Sequence, residues 1–203
     1  MDKAINTLEI GHSGIKLTVG YEIEHKPVVL YANTFLYENF IRDGQIVEAN
    51  GVSSAIKSLV EAANEHLGLT IEEVVLALPS LDLEIYAGHN QTNLVGSKVE
   101  KIDVTNLTSQ FRKSKIDAQK QIVSIVPINF TVDSGRIFHS APLGETTSIL
   151  ALDAFFHVLP LWLYNSYLKA CENAGLKVLK TFVETYAIGE LYGQQKNIGS
   201  NFI

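Results

Sequence analysis

The residues best suited to chemistry lie near the N-terminus, in the run Glu9-Ile10-Gly11-His12-Ser13-Gly14-Ile15-Lys16. A turn built on Gly11 and Gly14 lets backbone N–H groups come close to a phosphate and point at it, because no Cβ stands in the way. Ser13 adds a hydroxyl donor. Lys16 follows at a spacing from which its ammonium can reach back to phosphate oxygens as a charge-assisted donor. Glu9 offers an oxygen ligand that would hold water around Mg²⁺, a hard cation that keeps several of its waters. A Gly-Ser turn is also what an ordinary hairpin uses, so the surrounding elements must decide between the two readings.

Those elements read as an α/β chain. Thr7–Glu9 leads into the turn, and Ile15, Leu17 and Val19 then alternate with Lys16, Thr18 and Gly20. Such period-two alternation predicts a strand, so the two runs form a hairpin. A third apolar run covers 28–37, and Arg42-Asp43-Gly44-Gln45 is a turn. Val52, Ile56, Leu59, Val60, Ala63 and Leu67 recur at helical steps, which predicts an amphipathic helix capped by Asn50 or Ser53 and stopped by Gly68. Val74–Leu78 is a short buried strand ended by Pro79. Strands, a helix and a further strand make an α/β opening.

A second unit follows. Leu83–Ala87 reads as a strand and Asp103–Lys113 as a helix capped by Asp103 or Thr105. Gln121–Val126 and Ile128–Val132 form one strand interrupted by Pro127, which predicts an edge or a bulge there. Thr147–Phe156 is the next strand. Beyond it, Trp162, Leu163, Tyr167, Leu168, Cys171 and Ala174 take helical spacing up to Gly175, with Trp162, Tyr164 and Tyr167 as an aromatic packing face. Val178–Val183 is a strand, Thr185–Tyr192 a helix, Gly193–Lys196 a loop, and Ile198–Ile203 the start of another apolar run.

Composition narrows the function classes. Hydrophobic residues make up 46% of the chain and charged ones 19%, as in a globular protein. A net charge of -6 gives no broad attraction for nucleic acid or anionic lipid. Residues 1–80 carry five basic side chains against eleven acidic ones, whereas residues 98–120 carry six basic against three acidic, a solvated helix face or a small basic patch. The single Cys171 excludes an intrachain disulfide, and its helical setting makes it a small buried hydrophobe. His25, His66, His89, His139 and His157 lack ligand spacing, which argues against a zinc site. No signal peptide and no spanning run of about 18 apolar residues is visible, which predicts a soluble cytoplasmic chain.

Several stretches resemble one family in order along the chain. Glu9-Ile10-Gly11-x-Ser13-x-Ile15-Lys16 resembles the first phosphate loop of the actin/Hsp70/sugar-kinase superfamily. Arg42-Asp43-Gly44-Gln45-Ile46-Val47-Glu48 resembles the stretch before the first helix in the FtsA family of bacterial actin-like ATPases. Ile125-Val126-Pro127-Ile128-Asn129-Phe130-Thr131-Val132-Asp133 resembles that family's V-I-P-Q-E-F-x-V-D, and Ala141-Pro142-Leu143-Gly144 its x-P-V-G. Lys169-Ala170-Cys171-Glu172-Asn173-Ala174-Gly175-Leu176 resembles its K-x-V-E-x-A-G-L, and Val183-Glu184 through Ala187 its L-E-P-L-A.

The resemblance implies an RNase H-like subdomain 1A formed by residues 1–80 and 159–203, with a small α+β subdomain 1C of strand-helix-strand-strand order inserted over 81–158. It implies ATP and Mg²⁺ as cofactors of the full-length protein, expected to be absent from this chain by itself, with Gly11, His12, Ser13, Gly14 and Lys16 on the phosphates, Glu9 on the metal through water, and Glu184 at a position that in some bacterial actins orients the attacking water. Glu9 stands where the family has Asp, which shifts a water-mediated contact by one methylene. His12 stands where Thr or Ser is common, which costs a hydroxyl. Full-length members polymerise, partly through 1C, link FtsZ and other division proteins to the inner face of the cell membrane at the division site, and attach by a C-terminal amphipathic helix. PilM-type pilus assembly proteins share the layout and give an alternative reading. A sugar-kinase-type enzyme fits less well, since no acidic base stands in a visible substrate cleft.

Lys196-Asn197-Ile198-Gly199 through Phe202-Ile203 resembles the lead-in to the family's second phosphate loop, Asp-x-Gly-Gly-Gly-Thr. The sequence is therefore expected to be an N-terminal part, with the adenosine pocket, subdomains 2A and 2B, the main FtsZ contact and the membrane helix beyond it. One phosphate loop of two cannot clamp a triphosphate for in-line attack. This polypeptide alone is accordingly expected to release no phosphate from ATP above the protein-free rate in a phosphate-release assay; measurable turnover would refute that.

Overall fold

The computed structural model describes residues 4–24, 26–113 and 116–193. His25, loop residues 194–196 and the apolar run over 198–203 lie outside the described residues. The chain divides into two compact units, one comprising the residues through Leu81 and those from Trp162 on, the other Asp82–Leu161.

The first unit is built on a five-stranded mixed sheet. Its strands are β1 (Ile5–Ile10), β2 (Gly14–Ile23), β3 (Lys26–Leu36), β6 (Glu73–Leu78) and β11 (Lys177–Val183), in the order β11-β6-β1-β2-β3. β11, β6 and β1 run parallel, while β1, β2 and β3 are antiparallel. Leu8, Ile10, Ile15, Leu17 and Val19 are all buried, as the alternation requires. Helix α1 (Ala49–Leu67) packs on β2 and β3 and buries Val52, Ile56, Leu59 and Ala63. β3 closes one edge of the sheet and leaves Val29 and Leu36 exposed.

Asn50 and Ser53 do not cap α1; both lie inside it, and Glu48 holds the cap position without a side-chain hydrogen bond. Ser53 is buried, and its hydroxyl donates to the carbonyls of Ala49 (2.9 Å) and Ala170 (3.3 Å). The second bond ties α1 to helix α3 (Leu161–Asn173). Gly68 stops α1 as expected, at φ 64°, with its N–H on Asn64 O. Asp43 and Gly44 (φ 49° and 74°) form the two-residue turn between β4 (Ile41–Arg42) and β5 (Gln45–Ile46), a backbone twist that favours Asp-Gly. The packing face of α3 is Leu163, Tyr167, Ala170 and Cys171; Trp162, expected on it, is 45% exposed because it falls about 100° from that stripe. Helix α4 (Glu184–Gly193) follows β11 directly, so Gly193 belongs to a helix rather than to the expected loop.

The second unit sets helix α2 (Lys101–Phe111) against an antiparallel sheet of β7 (Glu84–Asn93), β8 (Lys120–Val132), β9 (Ile137–Phe138) and β10 (Ile149–Pro160), in the order β7-β10-β8-β9. Its core gathers Leu107, Phe111, Phe130, Leu150, Leu152, Phe156 and Val158. β8 is one strand with its irregularity at Pro127: Asn129 faces Asp153 and Pro127 faces Ala154, which leaves Ile128 as the bulged residue. Neither Asp103 nor Thr105 caps α2. Glu100 does, and the Asp103 carboxylate accepts its backbone N–H at 2.9 Å from the third helical position. β7 runs six residues past its expected end at Ala87 because polar His89, Asn90 and Gln91 pair in register with Asp153, Leu152 and Ala151.

Gly88 of β7 lies against the rings of this core. A Cβ there would stand 2.8 Å from Phe111 Cε1 and 2.9 Å from Phe156 Cε1. Gly88→Val is expected to cost about 1–3 kcal/mol by urea denaturation, the usual range for overpacking. Adding Phe111→Leu should cost less than the sum of the two single changes, because the sites share one space; strict additivity would contradict this packing.

Candidate functional site

The β1–β2 hairpin brings the sequence-predicted residues to one end of the first unit's sheet. Ile10 pairs with Ile15 and Glu9 with Lys16, which leaves Gly11–Gly14 as a tight turn closed by Gly11 N–H to Gly14 O at 2.9 Å. His12 and Ser13 are exposed at its tip, and Gly14 is buried. Space requires glycine at Gly14 and is tight at Gly11. A Cβ on Gly14 would stand 2.8 Å from Phe35 O, and one on Gly11 would crowd Gly14 O at 3.2 Å and Glu9 Oε1 at 3.4 Å.

Because Leu8, Ile10, Ile15 and Leu17 face the core, Thr7, Glu9, Lys16 and Thr18 must face the other way. There they line a cavity of about 280 Å³ with Ala77 and Phe182 of the neighbouring strands and Glu184, Ala187 and Ile188 at the β11–α4 junction. The structure thus gathers Glu9, Lys16 and Glu184 in one cavity. Gly11, His12, Ser13 and Gly14 are not among its lining residues; the turn adjoins it through the Glu9 carboxylate. Thr7 and Thr18 are cavity hydroxyls that sequence reading missed. They are register partners, and their position opposite Leu8 and Leu17 was the available signal.

Lys16 Nζ lies 2.7 Å from Glu9 Oε1, with the two side chains 57% and 33% exposed. An ion pair this open to water holds by under about 1 kcal/mol, so it can exchange for another partner. Glu184 differs. Burial raises its pKa above the ordinary value, the Glu9 carboxylate raises it further, and Lys16 opposes both. Two carboxylates and one ammonium thus line one cavity, with the ammonium paired to Glu9, an arrangement that favours an added cation beside the carboxylates and allows Lys16 to turn to an anion.

No family-wide sequence profile matches the chain. Curated relatives do. The cell division protein FtsA of Enterococcus hirae is 28% identical over 197 residues, covering 95% of this chain and 44% of that protein. FtsA of Enterococcus faecalis is 25% identical over the same length, and FtsA of Streptococcus pneumoniae 23% identical over 183 residues, covering 40% of its length. Among solved structures, a chain of a PilM-PilN type IV pilus biogenesis complex superposes with a TM-score of 0.54 at 17% identity, over 92% of this chain and 49% of that one. The chain is thus similar in sequence to FtsA proteins and similar in fold to a chain of the PilM-PilN complex. It spans less than half the length of these FtsA and PilM relatives. Among the described residues no helix is long and apolar enough to cross a membrane.

The raised pKa of Glu184 has a definite consequence for stability. Its proton is held more tightly in the folded chain than at the ordinary value of 4.5, so its contribution is fully present below that value and is lost as pH rises through the folded one. Glu184→Gln is expected to melt higher than the wild type at about pH 7.5 and to lose that advantage near about pH 4. Thermal melts across this range check it; identical pH dependence of the two proteins would contradict the desolvation of Glu184.

Proposed function

We propose that this chain is the phosphate-loop half of an FtsA-like actin-type division protein, in which the Gly11–Gly14 turn, Lys16 and Glu9 receive the phosphates and Mg²⁺ of ATP. The observation that carries the reading is the convergence of Glu9, Lys16 and Glu184 on the one face of the sheet that the hairpin register leaves polar. The residues present suit such a ligand. Lys16 supplies a mobile ammonium, Ser13 an exposed hydroxyl, and the turn its backbone N–H groups. Among the described residues no group of three His, Cys, Asp or Glu side chains is placed to hold a metal ion. A Mg²⁺ ion here would accordingly keep most of its waters, with Glu9 holding one of them. When bound, Mg²⁺ shields phosphate charge. Lys16 would pair with a phosphate oxygen in the loaded site, and Glu184, whose pKa is raised by burial, would orient a water.

In this reading the first unit is the RNase H-like subdomain 1A and the second is the inserted subdomain 1C. The strand-helix-strand-strand order of the second unit, with β9 as a two-residue addition, supports it. Self-association through the second unit, linkage of FtsZ and other division proteins, and action at the inner face of the membrane follow from the FtsA relatives as part of the same proposal. A PilM-type role in pilus assembly is the second reading, and the superposition on the PilM-PilN structure favours it.

Titration of the labelled chain with Mg·ATP, followed by amide NMR, tests the site. Shifts are expected at Gly11 to Gly14 and Lys16. Lys16→Ala should weaken the apparent affinity about fivefold or more, the loss of one charge-assisted bond at an exposed site. Unperturbed turn amides, or unchanged affinity in Lys16→Ala, would overturn the phosphate reading.

A further inference from the structure

One buried side chain outside the sequence motif holds the candidate turn at two points. Tyr37 follows β3 directly and is 8% exposed. Its hydroxyl donates to the carbonyl of Gly11 at 2.5 Å, and its backbone N–H donates to the carbonyl of Ser13 at 3.1 Å. Every described peptide bond is trans, and in a trans peptide the N–H points opposite to the C=O. Fixing the Gly11 and Ser13 carbonyls on Tyr37 therefore turns the N–H groups of His12 and Gly14 away from it.

We propose that Tyr37 is the positioning residue of the Gly11–Gly14 turn, aiming the His12 and Gly14 N–H groups at a bound phosphate. This rests on the phosphate reading above and adds to it the residue that pre-organises the donors. Tyr37 is itself well anchored. Its ring stacks on Phe40 with centroids 4.5 Å apart and planes 19° from parallel. The Phe40 ring in turn lies over Gly51 in the first turn of α1, where a Cβ would come within 2.7 Å of it, and the Phe40 carbonyl accepts the N–H of Val47 at 2.9 Å. The turn is thereby referenced to α1 instead of floating at the end of a hairpin. Burial pushes the Tyr37 hydroxyl up to about 12, so it remains a donor across the physiological range. Donors fixed before the ligand arrives cost nothing to order on binding, which is where the affinity comes from.

The test is Tyr37→Phe, which keeps the ring, its stacking and the backbone N–H and removes only the hydroxyl. Mg·ATP titrations by amide NMR are expected to show about a fivefold weaker affinity, the loss of one neutral hydrogen bond. Amide exchange of His12 and Gly14 in the ligand-free chain should become faster. Tyr167→Phe is the control: it deletes another buried hydroxyl of the same unit, one that donates to Gly44 O at 3.1 Å, and should leave affinity unchanged. If Tyr37→Phe binds like the wild type while Lys16→Ala does not, the positioning role is overturned and the phosphate site stands. If Tyr167→Phe weakens binding equally, the effect is general loosening and the proposal fails. A wild type without perturbed turn amides overturns both.

Discussion

Ile10 faces Ile15 across the β1–β2 hairpin, and every side chain of the two strands takes its place from that pairing. The backbone alternates, so burying Leu8, Ile10, Ile15, Leu17 and Val19 on one face obliges Thr7, Glu9, Lys16 and Thr18 to share the opposite one. A slip of one residue would place Glu9 and Lys16 in the core and the leucines on the surface, which the burial of five large side chains forbids. The register that secures the core is thus the register that builds the site. The parallel pairing of β1 with β6 and of β6 with β11 extends the same face to Ala77 and Phe182, and the end of β11 delivers Glu184.

Within that frame the electrostatics are lopsided. Glu9 and Lys16 neutralise one another in water-rich surroundings, at little energetic depth. Glu184 is more deeply set and is left with the residual repulsion from Glu9. A site with an excess carboxylate and a loosely held ammonium is poised to exchange internal pairing for an external cation and anion together. The turn adds backbone donors whose direction depends on contacts from Tyr37, more than twenty positions downstream.

The second unit follows a different logic. Its edge strand β7 carries many polar residues, and the unit's coherence comes from the layer where α2 sets Leu107 and Phe111 against Phe130 and Phe156. Gly88 is the point where that layer leaves no room for a side chain. Pro127, which cannot donate to a ladder, is accommodated beside a bulge.

Local pattern was enough to read the hairpin, the amphipathic face and glycine stop of α1, the bulge at Pro127 and the candidate phosphate turn, because each depends on residues within a few positions of one another. It was not enough for the polar half of β7, whose residues join a strand only because β10 supplies the partners, nor for the start of α2, where Glu100 and Asp103 cap one another. Trp162 could not be told from a packing aromatic until α3 was seen to bury Leu163 and Tyr167 instead. The sequence by itself determined the small-residue turn and the strand face that Glu9 and Lys16 occupy, since alternation and side-chain chemistry are properties of short stretches. Only the tertiary structure decided that Glu184 shares a cavity with Glu9 and Lys16, and that Tyr37 holds the turn. Those contacts join residues far apart in the chain, and nothing in their local spacing encodes the distance between them.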